Sequence, residues 1–168
     1  YSGIITKYPS NANEYIQVKL KSKLIKDSIY CISLYLSIPQ YAAFSTNEMN
    51  CFFTNEKLFL NLNHEMINNS SYIKLFTKEN YIKPGIWNQV INYYKAKGGE
   101  EYMVLGMLNK NSNNYKISNV RESNITKGIY MYIDDVSLKA ISDTTDCKLE
   151  PIIKNYNDVY DMNNKILI

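Results

Sequence analysis

The stretch Ile129 to Leu138, which reads IYMYIDDVSL, predicts the closing strand of an antiparallel β-sheet. Successive side chains of a strand point to opposite faces, so Asp134 shares a face with Val136 and Leu138. Both apolar side chains favour the core, and this parity draws Asp134 inward with them. A carboxylate in that position needs a cation or several hydrogen-bond donors, because burying an unpaired charge is costly. The stretch therefore predicts a β fold and a candidate metal site.

Composition limits the class of protein. The chain has 168 residues, which is the length of one domain, and a formal net charge of +3. Its basic residues are scattered rather than clustered, so we expect no nucleic-acid partner. No apolar run is long enough for a transmembrane segment. The 16 tyrosines favour strands, which agrees with an all-β fold.

Alternating apolar residues recur in strand-length segments between turn signals, and no amphipathic helix of ten or more residues is visible. We predict an antiparallel two-sheet β-sandwich over residues 1–142, followed by a tail or linker over residues 143–168. The short connection between the segments Tyr15 to Leu20 and Ser28 to Ile38 predicts that these two strands pair directly. The predicted core consists of Ile16, Val18, Leu20, Ile32, Leu34, Leu36, Trp87, Val90, Val136 and Leu138.

No catalytic constellation is visible, so we expect the protein not to be an enzyme. A triad would have to be built around the one histidine, His64, which lies in a polar loop and is predicted to be solvated. Asp134 and Asp135 point to opposite faces and cannot act as a pair across a sugar. Glu100 and Glu101 follow a Gly-Gly turn and are expected to be solvated, or one of them bonds backbone amides.

The three cysteines, Cys31, Cys51 and Cys147, have neither the spacing of a zinc site nor that of a disulfide framework. Cys31 lies in an apolar strand and is expected to be a buried free thiol. A bridge between Cys31 and Cys51 is the alternative.

Aromatic side chains on an outer sheet face are the candidates for ligand binding. Aromatic rings stack on the C–H faces of sugars, whose hydroxyls need amide or charged partners. The predicted strand pairing places four such residues on the face away from the core: Gln17, Lys19, Tyr35 and Tyr93. Aromatic residues of loops are the alternative: Tyr41, Phe44, Tyr81 and Tyr115.

Two functions follow from these features. The first is a structural or adhesive domain that contacts copies of itself or a neighbouring surface protein through exposed sheet edges. The second is a carbohydrate-binding module that recognises a glycan.

Four strings carry a family resemblance: NEYIQVKL (Asn13 to Leu20), YCISLYLS (Tyr30 to Ser37), WNQVINYYKAKGGEEYMVLG (Trp87 to Gly106) and YMYIDDVSL (Tyr130 to Leu138). They resemble, in the same order, the amino-terminal jelly-roll domain of Bacteroidetes cell-surface proteins, which often precedes an OmpA-type domain. The resemblance implies a galactose-binding-like jelly roll at the outer cell surface or outside the cell, after removal of a signal peptide.

The last of these strings is also similar to the closing strand of carbohydrate-binding modules. In those modules the first Asp of the string often helps to hold a structural calcium ion, together with oxygens from the amino-terminal lead-in. The resemblance therefore implies Ca²⁺ at Asp134. Backbone N–H groups and a nearby hydroxyl are the alternative partners of this carboxylate.

Overall fold

The computed structural model describes residues 2–7, 14–40, 44–46, 49–59, 72–75, 82, 84–107, 115–117, 128–149 and 154–155. The regular structure of these residues is β-strand apart from one 3₁₀ turn, so the predicted all-β fold is confirmed. Within the same residues no helix is long and apolar enough to span a membrane.

Eleven strands are described. In chain order they are β1 (Ser2–Lys7), β2 (Tyr15–Lys19), β3 (Ile29–Ser37), β4 (Phe44–Thr46), β5 (Met49–Thr54), β6 (Ile73–Leu75), β7 (Ile86–Lys95), β8 (Tyr102–Gly106), β9 (Tyr115–Ile117), β10 (Gly128–Ile141) and β11 (Lys154–Asn155). The 3₁₀ turn, Thr144–Asp146, follows β10.

The strands form two main antiparallel sheets. One sheet has the order β1-β10-β3-β7 and is extended beyond β7 by the two residues of β11, whereas the other has the order β2-β8-β5-β6. The short strands β4 and β9 pair separately. The eight main strands are distributed over the two sheets in the order of a jelly roll. The predicted two-sheet antiparallel sandwich is therefore confirmed.

The predicted direct pairing of β2 with β3 is wrong. β2 pairs with β8 in one sheet, and β3 lies between β10 and β7 in the other. The connection between β2 and β3 crosses from one sheet to the other: the Leu20 N–H donates to the Glu101 carbonyl, and the Ser28 carbonyl accepts from the Ala96 N–H. A short connection suits such a crossing as well as a hairpin, so its length does not decide between them.

The core fills the space between the two sheets. Of the predicted core residues, four are buried in the core cluster: Ile32, Leu34, Leu36 and Val90. Trp87 is buried as well but does not belong to this cluster. Three others are partly buried and pack against the core cluster: Ile16, Leu20 and Leu138. Val18 is exposed, contrary to the prediction. It belongs to β2, which is an edge strand, and an edge leaves side chains open to solvent.

A β-bulge in β10 changes which side chains face the core. Asp134 pairs with Tyr35, but the next pair joins Ser137 to Ser33, so β10 contains one residue more than β3 over this interval. At the bulge Asp135 has a φ of 49°, in the left-handed region that Asp tolerates better than most residues. One extra residue reverses the parity of a strand.

The bulge overturns the predicted inward position of Asp134 and Val136. Before the bulge, Met131 and Ile133 are buried in the core, so Asp134 lies on the opposite, outer face of the sheet. After the bulge, Leu138 packs against the core, as predicted. Val136 lies at the bulge itself and is 45% exposed.

Cys31 of β3 forms a disulfide with Cys147, with 5.3 Å between the Cα atoms. Both predictions for Cys31 are therefore wrong, and Cys51 is instead the buried free thiol. The partner was not apparent from spacing because the two cysteines are 116 residues apart in sequence. Part of the segment predicted as a tail is thus attached to the sandwich, through Cys147 and again through β11.

Candidate functional site

Three side chains of β10 form a stripe on the outer face of the sheet β1-β10-β3-β7. Since Met131 and Ile133 enter the core, alternation along the strand directs Tyr130, Tyr132 and Asp134 to the other side. We call Tyr130, Tyr132 and Asp134 the β10 stripe.

The two tyrosines of the β10 stripe form an edge-to-face pair. Their ring centroids are 5.0 Å apart and the ring planes meet at 80°. Tyr130 is 38% exposed, and Tyr132 is half-buried. Such a pair is favourable in itself, because the positive edge of one ring meets the negative face of the other. It gives the stripe two aromatic surfaces in one fixed arrangement.

Gly3 of the neighbouring strand β1 makes room for Tyr130. It pairs with Tyr132, and the end of the Tyr130 ring lies directly over it. A Cβ atom at position 3 would overlap the Tyr130 hydroxyl. Glycine thus allows the hydroxyl end of this ring to approach the backbone of β1 closely.

Asp134 completes the β10 stripe at the bulge. It is half-buried, and its Oδ1 accepts a 2.9 Å hydrogen bond from the backbone N–H of Asp135. In the part of the chain that the structure describes, no three His, Cys, Asp or Glu residues come together as metal ligands. Calcium takes six to eight oxygens, so the described carboxylates alone do not fit it. Calcium at Asp134 stays a prediction, which thermal melts with calcium and with chelator would test.

Gln17 lies on the other sheet and is occupied by a structural contact. Its Oε1 accepts from the Leu58 N–H at 2.9 Å, and its Nε2 donates to the Leu58 carbonyl at 3.3 Å. The side-chain amide thus makes the same two hydrogen bonds to Leu58 that the backbone of a paired strand would make. This contact holds Leu58 against Phe52 and Val104, which form a small second apolar cluster.

Lys19 is on the same sheet as Gln17 and is exposed. Its Nζ lies 3.9 Å from a Glu101 carboxylate oxygen and 6.0 Å from the centroid of the Tyr102 ring. The structure therefore separates Gln17 and Lys19 from the other two candidate residues, Tyr35 and Tyr93, which belong to β3 and β7 of the opposite sheet.

Tyr35 and Tyr93 share an outer face with the β10 stripe but differ in access. Tyr35, the pairing neighbour of Asp134, is only 7% exposed and offers no ring face to a ligand. Tyr93 is 51% exposed. It pairs with Cys31, four residues along β3 from Tyr35, and so is remote from the stripe.

Sequence reasoning missed Tyr130 and Tyr132 because it extended one alternation through the whole of β10. That alternation placed both rings on the inner face with Leu138. The signal that could have revealed them is the Asp134-Asp135 pair, since two consecutive aspartates are unfavourable inside a strand and suit a bulge.

Glu100 forms a separate polar cluster at the turn between β7 and β8. It is buried, so the expectation of a solvated residue is wrong and the alternative, bonding to backbone amides, is correct. Its carboxylate accepts from the Tyr94 hydroxyl and from the N–H groups of Lys97 and Gly98. Burial raises the pKa of Glu100, but these hydrogen bonds outweigh it and hold the pKa below its ordinary value. The cluster organises the turn.

The remaining candidates cannot be placed. His64, Tyr41 and Tyr81 lie outside the described residues, as do the side chains of Phe44 and Tyr115. The absence of enzymatic activity stays a prediction. Comparison of the chain with protein-family models, with curated proteins and with solved structures found no match.

Proposed function

We propose that the protein is a non-catalytic extracellular domain that binds a glycan through the β10 stripe. The observation that carries the proposal is the pair formed by the exposed ring of Tyr130 and the half-buried ring of Tyr132, beside the half-buried carboxylate of Asp134. Aromatic rings match the C–H faces of sugars, and a carboxylate accepts hydrogen bonds from their hydroxyls. The rigid sheet holds these groups in place, which reduces the entropy lost on binding.

The disulfide supports the extracellular part of the proposal. Bonds such as Cys31–Cys147 form and persist in oxidising environments and are rare in reducing ones. A surface or secreted domain is also where a glycan-binding site would meet its ligand.

The proposal is tested by glycan-array screening and by pull-down on insoluble polysaccharides. Tyr130→Ala removes an exposed ring and should weaken binding at least about tenfold, which corresponds to about 1.4 kcal/mol. Gly3→Ala is a second variant, since its added methyl group displaces the Tyr130 ring without removing it. Tyr93→Ala is the matched control, because it removes another exposed tyrosine from the same sheet, remote from the β10 stripe. Equal binding by wild type and Tyr130→Ala would contradict the proposal.

A structural, self-associating role is the second candidate, and the exposed side chain of Val18 favours it. Val18 belongs to β2, and among the described strands β2 pairs only with β8. An open strand edge with an apolar side chain is suited to pairing with another chain. Concentration-dependent sedimentation that Val18→Lys abolishes, together with no glycan binding, would favour this role over the first.

A further inference from the structure

We infer that one end of the sandwich, where β2 leads to β3 and β7 leads to β8, docks on an anionic lipid surface. The inference does not depend on glycan binding, since the residues that carry it lie outside the β10 stripe. It follows from the lysines that the fold gathers at this end, from an exposed isoleucine among them and from the hydrogen bonds that hold the backbone there.

The two connections lie side by side. The Leu24 N–H donates to the Glu100 carbonyl, and the Leu24 carbonyl accepts from the Gly99 N–H, each at 3.0 Å. The Leu24 side chain is buried, so it anchors the first connection to the second. Lys26 passes so close to Gly98 that a Cβ atom at position 98 would overlap it. Residues from distant parts of the sequence thus share one surface.

The lysines of these connections are scattered along the sequence and are gathered by the fold. We call residues 19–27 and 95–101 the basic end. It contains three acidic residues and six lysines: Lys19, Lys21, Lys23, Lys26, Lys95 and Lys97. Its net charge is therefore +3, which equals the formal net charge of the whole chain. The excess of positive charge thus lies at one end of the molecule.

The acidic residues of the basic end are engaged. Glu100 is buried and accepts from backbone N–H groups. Asp27 pairs with Lys95 at 3.3 Å, and Glu101 pairs with Lys23 at 2.8 Å. Three exposed lysines form no ion pair with a described residue: Lys21, Lys26 and Lys97. These three can therefore contact an anionic partner without first breaking an ion pair.

The neighbouring segments do not offset this charge. After β5, next to Glu101, the chain brings one residue of each sign, Glu56 and Lys57. After Ile141, which pairs with Ile29, the chain continues into the 3₁₀ turn. Residues 139–148 around this turn contain two lysines and two aspartates, so they too are neutral in sum.

An exposed isoleucine lies among the lysines. Ile25 is 68% exposed, although isoleucine is one of the residues most often buried. Its N–H donates to the Tyr30 hydroxyl, and its carbonyl accepts from the Ser28 N–H, each at 3.1 Å. The side chain is thus presented to solvent from a backbone that is already ordered, which reduces the entropy lost on docking.

The isoleucine distinguishes a lipid surface from other anionic partners. A nucleic acid or an acidic polysaccharide would engage the lysines alone. A bilayer of anionic lipids offers phosphate groups to the lysines and, just beneath them, an apolar layer to the isoleucine. Ile25 stands between Lys23 and Lys26 in the sequence, so both kinds of contact come from one short segment.

Docking in this way leaves the β10 stripe open to a ligand. Ile29, which follows the basic end, and Ser37, which pairs with Tyr132, are the first and last residues of β3. A strand of this length separates its two ends by about 27 Å. The basic end and the stripe are therefore far apart, and lipid at one does not cover the other.

The test is sedimentation of the protein with lipid vesicles. One kind contains phosphatidylcholine alone, and in the other kind one lipid in three is phosphatidylglycerol. We expect wild type to bind the anionic vesicles at least about tenfold more tightly than the neutral ones, and to lose this preference as salt is added. Equal binding to the two kinds of vesicle, or binding to neither, would overturn the inference.

The lysines are tested by the triple variant Lys21→Gln/Lys26→Gln/Lys97→Gln. Each lysine near an anionic surface contributes about fivefold to affinity, so this variant should bind about a hundredfold more weakly. The control is Lys154→Gln, on β11, which pairs with Trp87 at the far end of β7 from the basic end. It should bind within about twofold of wild type, because salt screens a distant charge. A loss in the triple variant no larger than in the control would contradict the docking surface.

Ile25→Ser tests the apolar contact without a change of charge. It should weaken binding to the anionic vesicles by about fivefold, whereas Val136→Ser, which alters another exposed apolar residue, should not. Heparin provides the contrast, because a soluble polyanion has no apolar layer and its affinity should be the same for wild type and Ile25→Ser. Unchanged vesicle binding by Ile25→Ser would overturn lipid docking. Binding of heparin without binding of vesicles would assign the basic end to a polyanion instead.

A second variant at this position gives a spectroscopic measurement. Ile25→Trp adds an indole to a chain whose one tryptophan, Trp87, is buried. Indole favours the boundary between water and lipid. Fluorescence emission of this variant should therefore shift to shorter wavelength with the anionic vesicles and not with the neutral ones. An emission spectrum that the anionic vesicles leave unchanged would show that position 25 does not enter the lipid.

Discussion

The Tyr94 hydroxyl donates a 2.6 Å hydrogen bond to Oε1 of Glu100, across the turn that joins β7 to β8. The same oxygen accepts from the Lys97 N–H at 2.7 Å, and Oε2 accepts from the Gly98 N–H at 2.8 Å. The Glu100 carbonyl accepts in turn from the Leu24 N–H, in the connection between β2 and β3. One buried residue thus joins two segments that connect the two sheets at this end of the sandwich.

Glu100→Gln should lower the free energy of unfolding by about 1–3 kcal/mol, measured by urea denaturation. A glutamine side chain has only one acceptor oxygen, so its NH₂ group must face the backbone N–H of either Lys97 or Gly98, and neither can accept a hydrogen bond. The matched control is Glu101→Gln, which alters the neighbouring, more exposed carboxylate that pairs with Lys23. It should change stability little, because surface ion pairs contribute little. Equal effects of the two substitutions would contradict the role assigned to Glu100.

The hydrogen bonds to Glu100 also predict how the stability of the protein depends on pH. The pKa of Glu100 is lowered in the folded state, so its contribution is present above its ordinary pKa of 4.5 and is lost as the pH falls through the folded value. Wild type should therefore lose stability below about pH 4.5, and part of this loss should be missing in Glu100→Gln. Thermal melts between pH 3 and pH 7 would measure the difference. Parallel curves for the two proteins would show that Glu100 is not the group responsible.

Because of the bulge in β10, we expect different effects on stability when two apolar residues of this strand are truncated. Met131, before the bulge, is buried in the core, and Met131→Ala should cost about 2–5 kcal/mol. Val136, at the bulge, is 45% exposed, and Val136→Ala should change stability by no more than about 0.5 kcal/mol. Chemical denaturation of both variants checks the assignment. A large loss of stability in Val136→Ala would instead support the uninterrupted alternation predicted from the sequence, in which Val136 faces the core.

The fold class was predictable because alternation is local. Each segment such as β3 shows its buried face, Ile32, Leu34 and Leu36, without any knowledge of its neighbours. Which strands pair is a property of the whole chain, and the connection from β2 to β3 has the same length whether it turns back or crosses to the other sheet. For this reason the sequence placed Gln17 and Lys19 beside Tyr35, whereas the structure puts them on different sheets.

The candidate site depended on a single inserted residue. The sequence identified Asp134 as unusual, and this residue does belong to the β10 stripe. The extra residue between Asp134 and Ser137 then decided that Tyr130 and Tyr132 face outward. A bulge is set by how the neighbouring strand pairs, so alternation within β10 could not locate it.

The Cys31–Cys147 disulfide closes a loop with a sequence separation of 116 residues, and we expect it to stabilise the folded protein strongly. In the chain-entropy treatment a loop of this size contributes about 4–5 kcal/mol, because the bond restricts the unfolded chain. The double variant Cys31→Ser/Cys147→Ser should lose about that much in urea denaturation. A reductant should lower the stability of wild type to a similar level and leave the double variant unchanged.

Thiol titration checks the same bond independently of stability. The folded protein should react slowly, because Cys51 is buried and burial raises the pKa of its thiol, which leaves little reactive thiolate. Unfolding without reductant should release one thiol per chain, and unfolding after reduction should release all three. Cys51→Ala serves as the control: it should show no thiol when unfolded without reductant and two after reduction. Three thiols in unreduced, unfolded wild type would mean that the disulfide does not form, and the support that it gives to an extracellular location would be lost.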